Sequence, residues 1–493
     1  MMKWRSQLEL ERTLIKDLQS AQRDIDSVKL ESASAVGNSS LLIPNIDELR
    51  DAIFRLSAEL NAVRPRLDKL SKGLLFSELG VSRFDVATII SNAPAGAVIH
   101  LRAGRYDLLA VPLSPEVPFS CVVRHNDVHI KGSSPAGTVI VRPTHTDVAT
   151  QSSSILQIVG VQRISVSGLQ LLQMQRNDAA IRVTLLCLTR AQPADDNDGD
   201  IIEFRDCVIK SSNAHALIVA AHRPVVTGIP THEGSVSVAA NRPQRVVVHG
   251  CQFESPGCGI YLDVTNVVIE DGRTHLSLVV DDCTFNCCSG IRIAGGGGST
   301  TRCTHVSVMI RNCRFVGCKD YGIECKPEIG VTLLVTNCQF DDCSPAAISV
   351  AEAKLNDFTT TISNCDITNG STSITSRVGV LFICRTSAIA THPCFTLTQN
   401  RIRDCVVSVS IDLIPAVAAI LASTTAGNSN LIECRDNNFT AEQFGIVVTI
   451  SADSGDDRTP AMIVTAVSSP WVQNTLVRNN GFVCGAGDIT IVV

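Results

Sequence analysis

A four-residue phrase decides the fold: the chain reads DCVI at 206–209, GCQF at 250–253, DCTF at 282–285, NCRF at 312–315, NCQF at 337–340, NCDI at 364–367, QNRI at 399–402, DNNF at 436–439 and NNGF at 479–482. The copies start 25 to 44 residues apart, which is the period of a solenoid whose rungs carry insertions of different length. The first position is Asn, Asp or Gly in eight of the nine copies, and these residues adopt a positive φ at low cost. We therefore predict a tight bend at each first position.

The other positions of the phrase predict an interior. The second position is Cys or Asn in every copy, and both are small enough to stack on the copy above. The fourth position is apolar in every copy. The phrase therefore predicts an inward column of Phe and Ile, repeated rung after rung.

A second repeated line follows the phrase after a short loop. It reads GIYL at 259–262, GIRI at 290–293, GIEC at 322–325, AISV at 347–350 and GIVV at 445–448. Its alternation of apolar and variable residues has the period of a β-strand, with Ile inward and Tyr261, Arg292, Glu324 and Ser349 outward. A further apolar run precedes each bend, so we predict three short strands per rung, stacked in parallel.

These repeats resemble the right-handed parallel β-helix of the pectin lyase-like superfamily. The opening of the pattern, VIHLRAGRY at 98–106 and VHIKG at 128–132, looks like the first rungs of such proteins. The resemblance covers about residues 75–493 and implies an all-β fold, a right-handed parallel β-helix at 96–493 with a helical cap at 73–95. The superfamily hosts many activities, so it implies little about function. In plan the chain is similar to the intracellular repeats attached to F-box adaptors.

The N-terminal region predicts helices. Apolar residues are spaced alternately by three and four positions, as in a coiled coil. They are Ile46, Leu49, Ile53, Leu56, Leu60, Val63, Leu67 and Leu70. We predict an amphipathic helix at 1–31, a linker at 32–44 and a heptad-patterned helix at 45–72. The heptad face is the candidate partner-binding surface; it could pack on its own chain, pair with another protein or form a homo-oligomer.

Composition and charge limit the cellular locations and the classes of ligand that we expect for this protein. The first residues are charged and lack the apolar core of a signal peptide, and no apolar run reaches the length of a membrane span. We therefore expect a cytoplasmic protein. The net charge is −6 without a basic run, which argues against nucleic acid as a partner. Only 4% of residues are aromatic, which weakens the case for a sugar-binding groove.

The 20 cysteines are best explained as packing residues. Many occupy the second position of the phrase, and without an export signal we expect buried free thiols instead of disulfides. The regular paired spacings of zinc sites are absent. We therefore predict no metal and no cofactor.

One cluster on the outward positions could support catalysis. The register places Tyr261, Asp263, Arg292, Glu324 and Lys326 on three consecutive rungs, a mixture of acids, bases and an aromatic ring that general acid and base chemistry requires. The favoured structural interpretation is a solvated ion-pair ladder, with Arg292 against Glu324 and Asp263.

Motifs of the glycoside hydrolases with this fold do not transfer. Their Gly-His-Gly is represented here by HG at 249–250 without the first glycine. Their Arg-x-Lys is represented by RIA at 292–294 without the lysine. No catalytic residues can therefore be assigned from the family.

These observations favour a non-enzymatic scaffold: a rigid β-helix docked through its N-terminal helices into a larger intracellular assembly, such as a cytoskeletal or flagellar complex. One alternative is a carbohydrate-active lyase or glycoside hydrolase. Another is a homotrimeric viral fibre or tailspike.

Overall fold

The computed structural model describes residues 86–108, 120–142, 154–161, 163–174, 179–186, 201–212, 215–222, 244–266, 275–294, 305–326, 331–351, 359–369, 377–384, 395–413, 432–450 and 480–492. The helices predicted at 1–31 and 45–72, the linker between them and the heptad face from Ile46 to Leu70 lie outside these ranges and stay predictions.

The described residues form one short helix, α1 (Val86–Ser91), and 31 strands, numbered here in chain order. Eleven strands form sheet A. On the rungs that carry the repeated phrase, the sheet A strand comes directly before the bend. The eleven strands are β1 (Val98–Leu101), β4 (His129–Gly132), β7 (Ile164–Ser167), β10 (Ile201–Arg205), β13 (Gln244–His249), β15 (His275–Asp281), β17 (His305–Arg311), β20 (Val331–Thr336), β23 (Thr359–Ser363), β26 (Phe395–Thr398) and β28 (Ile432–Arg435).

The other twenty strands make sheet B. They are β2 (Gly104–Asp107), β3 (Cys121–Val123), β5 (Thr138–Arg142), β6 (Leu156–Val159), β8 (Gln170–Gln173), β9 (Ile181–Leu186), β11 (Val208–Ser211), β12 (Leu217–His222), β14 (Gln252–Asn266), β16 (Thr284–Ala294), β18 (Arg314–Val316), β19 (Tyr321–Lys326), β21 (Gln339–Asp341), β22 (Ala346–Ala351), β24 (Asp366–Thr368), β25 (Val378–Cys384), β27 (Arg401–Leu413), β29 (Asn438–Ile450), β30 (Gly481–Cys484) and β31 (Gly487–Val492).

Sheet B consists of two parallel ladders. The first runs along the repeated phrase, through β11, β14, β16 and β18. The second runs along the Gly-Ile line, through β12, β14, β16 and β19. Four long strands, β14, β16, β27 and β29, belong to both ladders. Together with sheet A this gives three strands per rung, and it confirms the prediction of an all-β solenoid of parallel strands.

The bend of each phrase has the predicted backbone. The eight described first positions, from Asp206 to Asp436, have φ between +49° and +63°, including Gln399, which breaks the Asn, Asp or Gly pattern. Sheet A therefore passes into the first ladder of sheet B through a left-handed residue on every one of these rungs.

The fourth position of the phrase fills the core with stacked rings. Phe285 and Phe315 are parallel within 6° with centroids 4.7 Å apart, and Phe315 and Phe340 within 3° at 4.6 Å. The stack explains the glycine of the second line. A Cβ on Gly290 would lie 2.4 Å from Cδ1 of Phe315 and 2.4 Å from the carbonyl oxygen of Gly322, so only glycine fits there.

The second position is a hydrogen-bond donor as well as a small side chain. The thiol of Cys365 donates to the carbonyl of Ser363 at 3.3 Å. On the next rung, Nδ2 of Asn400 donates to the equivalent carbonyl of Thr398 at 3.0 Å. Sixteen described cysteines are free thiols, and burial raises the pKa of Cys405 and of Cys434 to about 12. These two thiols are therefore protonated at neutral pH and cannot act as nucleophiles there.

Helix α1 lies at the start of the β-helix, within the range predicted as its cap. Val86, Ala87 and Ile90 are buried, and the hydroxyl of Ser91 accepts a hydrogen bond from the backbone N–H of Val122 at 3.0 Å. The domain boundaries themselves stay predictions. Among the described residues, no helix has the length and apolar character needed to cross a membrane.

Candidate functional site

The outward residues singled out in the sequence come together on the second ladder of sheet B. Tyr261 pairs in register with Arg292, and Arg292 with Glu324. Asp263 and Lys326 both pair with Ala294, one from each side. Neighbouring strands are about 4.8 Å apart, so these five side chains occupy two adjacent columns over three rungs.

A buried carboxylate forms the centre of this group. The side chain of Glu324 is 3% exposed, and its Oε2 lies 2.9 Å from Nε of Arg292. Its Oε1 is paired with Nζ of Lys326. The two cations are 41% and 46% exposed, so they cover the carboxylate and present their remaining N–H groups to solvent.

This arrangement corrects the predicted ladder of solvated ion pairs. Glu324 is removed from water, and burial of a carboxylate is unfavourable unless cations and hydrogen bonds compensate it. Glu324 is shared by Arg292 and Lys326, whereas the predicted ladder set Arg292 against Glu324 and Asp263.

Two aromatic residues flank the central group on one side. The ring of His215 is stacked on the ring of Tyr261, with centroids 5.0 Å apart and planes within 12°. The ammonium of Lys326 lies 5.6 Å from the centroid of the Tyr321 ring, within the range of a cation–π contact. His215 and Tyr321 therefore both lie near a cation of the central group, Arg292 and Lys326 respectively.

The surroundings fix the protonation of Tyr261. Burial raises the pKa of its phenol, and the carboxylate of Asp263 raises it further, while Arg292 opposes the rise. The phenol is therefore a proton donor at neutral pH, not a phenolate.

His215 is neutral for a related reason. Burial lowers the pKa of its imidazole, and the positive charges of Arg292 and Arg182 lower it further. Its Nδ1 lies 3.0 Å from the backbone nitrogen of Cys258. A backbone N–H can only donate, so Nδ1 is the acceptor and the ring proton is on Nε2.

His215 and Tyr321 were not identified from the sequence. Each stands three residues before an outward position, Ile218 and Glu324, rather than two. The alternation used to find outward residues therefore stops before it reaches them. A search for aromatic residues immediately before the Gly-Ile line would have found Tyr321.

Metal ligands are not assembled in the described part of the chain: no three His, Cys, Asp or Glu side chains come together there. The partner-binding face predicted at Ile46 to Leu70 lies outside the described residues and has no structural counterpart here.

Comparison with known proteins supports the fold. A family model described as "Right handed beta helix region" matches residues 194–325, a segment that contains most of the candidate site. No curated protein matches the chain. Among solved structures, the chain is similar to one described as a mannuronic acid specific polysaccharide family 6 lyase from human gut microbiota. The identity is 11%, the TM-score is 0.42, and 83% of this chain and 81% of that chain are covered.

These findings correct the functional prediction. A non-enzymatic scaffold was favoured from the sequence, but what matches is a right-handed β-helix region and a polysaccharide lyase. The scaffold prediction is therefore wrong, and the carbohydrate-active alternative is retained. The family model supports the β-helix and does not extend to adaptor-type repeats. The likeness to the solved structure, at a TM-score of 0.42, carries no argument about chemistry, which depends on the site itself. The trimeric fibre, the cytoplasmic location and the protein partners stay predictions.

Proposed function

We propose that this protein binds an acidic polysaccharide across the second ladder of sheet B and cleaves it by β-elimination next to a uronate. One observation carries the proposal: Arg292 and Lys326 cover the buried Glu324 and present their remaining N–H donors to solvent. The chain as a whole has a net charge of −6, so two half-exposed cations on neighbouring strands are a local feature of the site.

Elimination needs three functions that the site can supply. The carboxylate of the uronate must be neutralised so that the proton on the adjacent carbon becomes acidic. A base must then remove that proton, and an acid must protonate the glycosidic oxygen as its bond to the β-carbon breaks. The electron pair of the broken C–H bond forms the new C=C bond, which is conjugated with the carboxylate.

We assign these roles by chemistry. Arg292 receives the carboxylate, because a guanidinium can bind both of its oxygens. Tyr261 is the acid, because burial and Asp263 raise the pKa of its phenol and keep it protonated. Asp263, the other carboxylate of the cluster, removes the proton, and Lys326 adds a second cation for the substrate carboxylate. Glu324 holds Arg292 and Lys326 in place and is a positioning residue.

Hydrolysis fits the site less well. Glycoside hydrolases use two carboxyl groups that both face the scissile bond. Glu324 is 3% exposed and is engaged by two cations, so it is not presented to a substrate. Asp263 would then be the remaining carboxylate among the five clustered residues.

A second candidate is binding without cleavage. Four groups of the resting site, Arg292, Lys326, Tyr261 and the Nε2–H of His215, are hydrogen-bond donors. A surface of donors suits retention of an acidic glycan even if no proton is removed. The same experiment separates the two candidates.

The test uses the full chain with polyuronates and, for comparison, neutral glucans of similar length. Calorimetry measures binding, and ultraviolet absorbance detects the C=C bond that elimination creates. Cleavage of a polyuronate with the absorbance rise supports a lyase, and binding without the rise supports the second candidate. If no polyuronate is bound or cleaved, the proposed function is wrong.

Arg292→Ala is the decisive variant, and Arg311→Ala is its matched control. Arg311 is also paired with a carboxylate on the neighbouring strand, Asp281, at 2.9 Å, and it is 48% exposed, but it lies on sheet A. We expect Arg292→Ala to lower turnover by about 100-fold, as for loss of a group that stabilises developing charge. Arg311→Ala should leave turnover unchanged.

A further inference from the structure

His215 forms a hydrogen bond at a register shift in sheet B. The register between β14 and β16 shifts between Ser255 and Cys258. There, the backbone N–H of Cys258 donates to Nδ1 of His215 at 3.0 Å, and the carbonyl of Cys258 accepts from the N–H of Ala216 at 2.8 Å. The first bond holds the imidazole, and the second holds the backbone next to it against Cys258.

The fixed imidazole in turn supports Tyr261. The two rings are nearly parallel, with centroids 5.0 Å apart. A displacement of the proton donor by about 1 Å can change a rate by about 100-fold, so a rigid ring behind Tyr261 has a direct effect on its ability to donate.

Only the neutral imidazole can accept the hydrogen bond of Cys258 that holds it in place. A proton on Nδ1 would face the N–H of Cys258, placing a donor against a donor. The charged and titratable groups around the pair of rings come from several strands. Arg182 of β9 and Arg292 of β16 act on His215. Asp263 and Cys258 of β14, Arg292, and Glu324 of β19 act on Tyr261. The two arginines act on the imidazole directly and oppose a third positive charge.

We propose that neutral His215 is the positioning residue of Tyr261. When His215 is protonated at low pH, Tyr261 loses its fixed position and turnover falls. The effect on polysaccharide cleavage depends on the function proposed above. The coupling between the two rings does not depend on it.

The direction of the pH dependence follows from the imidazole. Burial and the two arginines lower its pKa below the usual 6.5 of histidine. The neutral, competent form is therefore fully present at and above neutral pH, and it is lost as the pH falls through this lowered pKa.

Two variants separate the two contacts of His215. His215→Phe keeps a ring for the stack but provides no acceptor for Cys258. His215→Asn places an oxygen near the position of Nδ1 but provides no ring. Neither side chain titrates. The control is His249→Asn, because His249 lies on sheet A beside Asp281, at 3.4 Å.

The first measurement needs no polysaccharide. The chain has three tyrosines, so the difference between wild-type and Tyr261→Phe titrations isolates the ionisation of Tyr261. We expect this ionisation to change in both His215 variants and to stay the same in His249→Asn. Nuclear magnetic resonance of histidine-labelled protein should place the His215 pKa below 6.5. If Tyr261 titrates identically with and without His215, the positioning role is wrong.

The second measurement is the pH profile of turnover. We expect an acid limb in the wild type and in His249→Asn. Both His215 variants should lack this limb and show a plateau lower by on the order of tenfold, the value of about one hydrogen bond. An acid limb that persists unchanged in both variants would overturn the switch. If the wild type shows no turnover, the proposed function fails, and the tyrosine titration still decides the coupling.

Discussion

Replacement of Glu324 by Gln separates attraction from positioning at the candidate site. Arg292 and Lys326 each carry one positive charge and Glu324 one negative charge, so the group has a net charge of +1. The variant has a net charge of +2 and nearly the same shape. A polyanion should therefore bind at least as well as to the wild type, although both cations lose the carboxylate that orients them.

The expected magnitudes follow from the exposure of the groups. The cations are 41% and 46% exposed, so water screens the added charge, and at a separation of 4 to 8 Å its attraction for a substrate carboxylate is about 0.5–1 kcal/mol. This corresponds to binding tighter by about two- to five-fold at low salt, and less at physiological ionic strength. Loss of orientation should lower kcat by about 100-fold.

The assay measures the two quantities separately. Calorimetry at two salt concentrations gives the dissociation constant, and the absorbance of the unsaturated product gives kcat. Circular dichroism and thermal unfolding confirm that the variant is folded. Wild-type kcat in a folded Glu324→Gln protein would refute the positioning role. Binding weakened by more than tenfold would refute the view that net charge attracts the substrate.

Two further predictions concern the stability of the β-helix. Phe315→Ala removes the middle ring of a stack with neighbours at 4.7 and 4.6 Å, so the free energy of unfolding measured in urea should fall by about 3–5 kcal/mol. The fall should be smaller in Phe382→Ala, because Phe395 is its one ring neighbour among the described residues. Equal losses would contradict the contribution of the stack. Cys365→Asn should leave the unfolding midpoint close to that of the wild type, because Asn400 makes the equivalent bond on the next rung. Cys365→Val removes the donor and should lower the free energy of unfolding by about 1 kcal/mol. A larger loss in Cys365→Asn than in Cys365→Val would contradict the donor role.

Most of the β-helix could be predicted from the sequence because each rung depends on residue types at nearby positions in the chain. The bend needs a residue that accepts positive φ, and the core needs an apolar side chain three positions later. Both requirements recur in each copy of the phrase. The five clustered outward residues, from Tyr261 to Lys326, followed from the same register, because parallel stacking aligns equivalent positions on successive rungs.

The chemistry of the site could not be predicted in the same way. An outward position says nothing about burial, and Glu324 is covered because two cations meet over it. His215 lies outside the two-residue alternation, and its role depends on a register shift at Cys258 that has no signature in the chain itself. Sequence alternation gives the direction of a side chain, whereas burial and tautomer depend on contacts between rungs.

The second position of the phrase shows why its chemistry is structural. Cys313 donates to the carbonyl of Arg311 at 3.1 Å and lies 3.7 Å from the carbonyl of Val280 on the preceding rung. Asn400 donates to the corresponding pair, Thr398 and Ile362, at 3.0 Å each. A thiolate has no proton to give, so ionisation or metal binding at Cys313 would abolish the bond that Asn400 reproduces. Ionisation at this position would therefore cost a hydrogen bond of the fold, and we place the proposed catalysis on the outward columns, where Arg292 and Lys326 present their remaining donors to solvent.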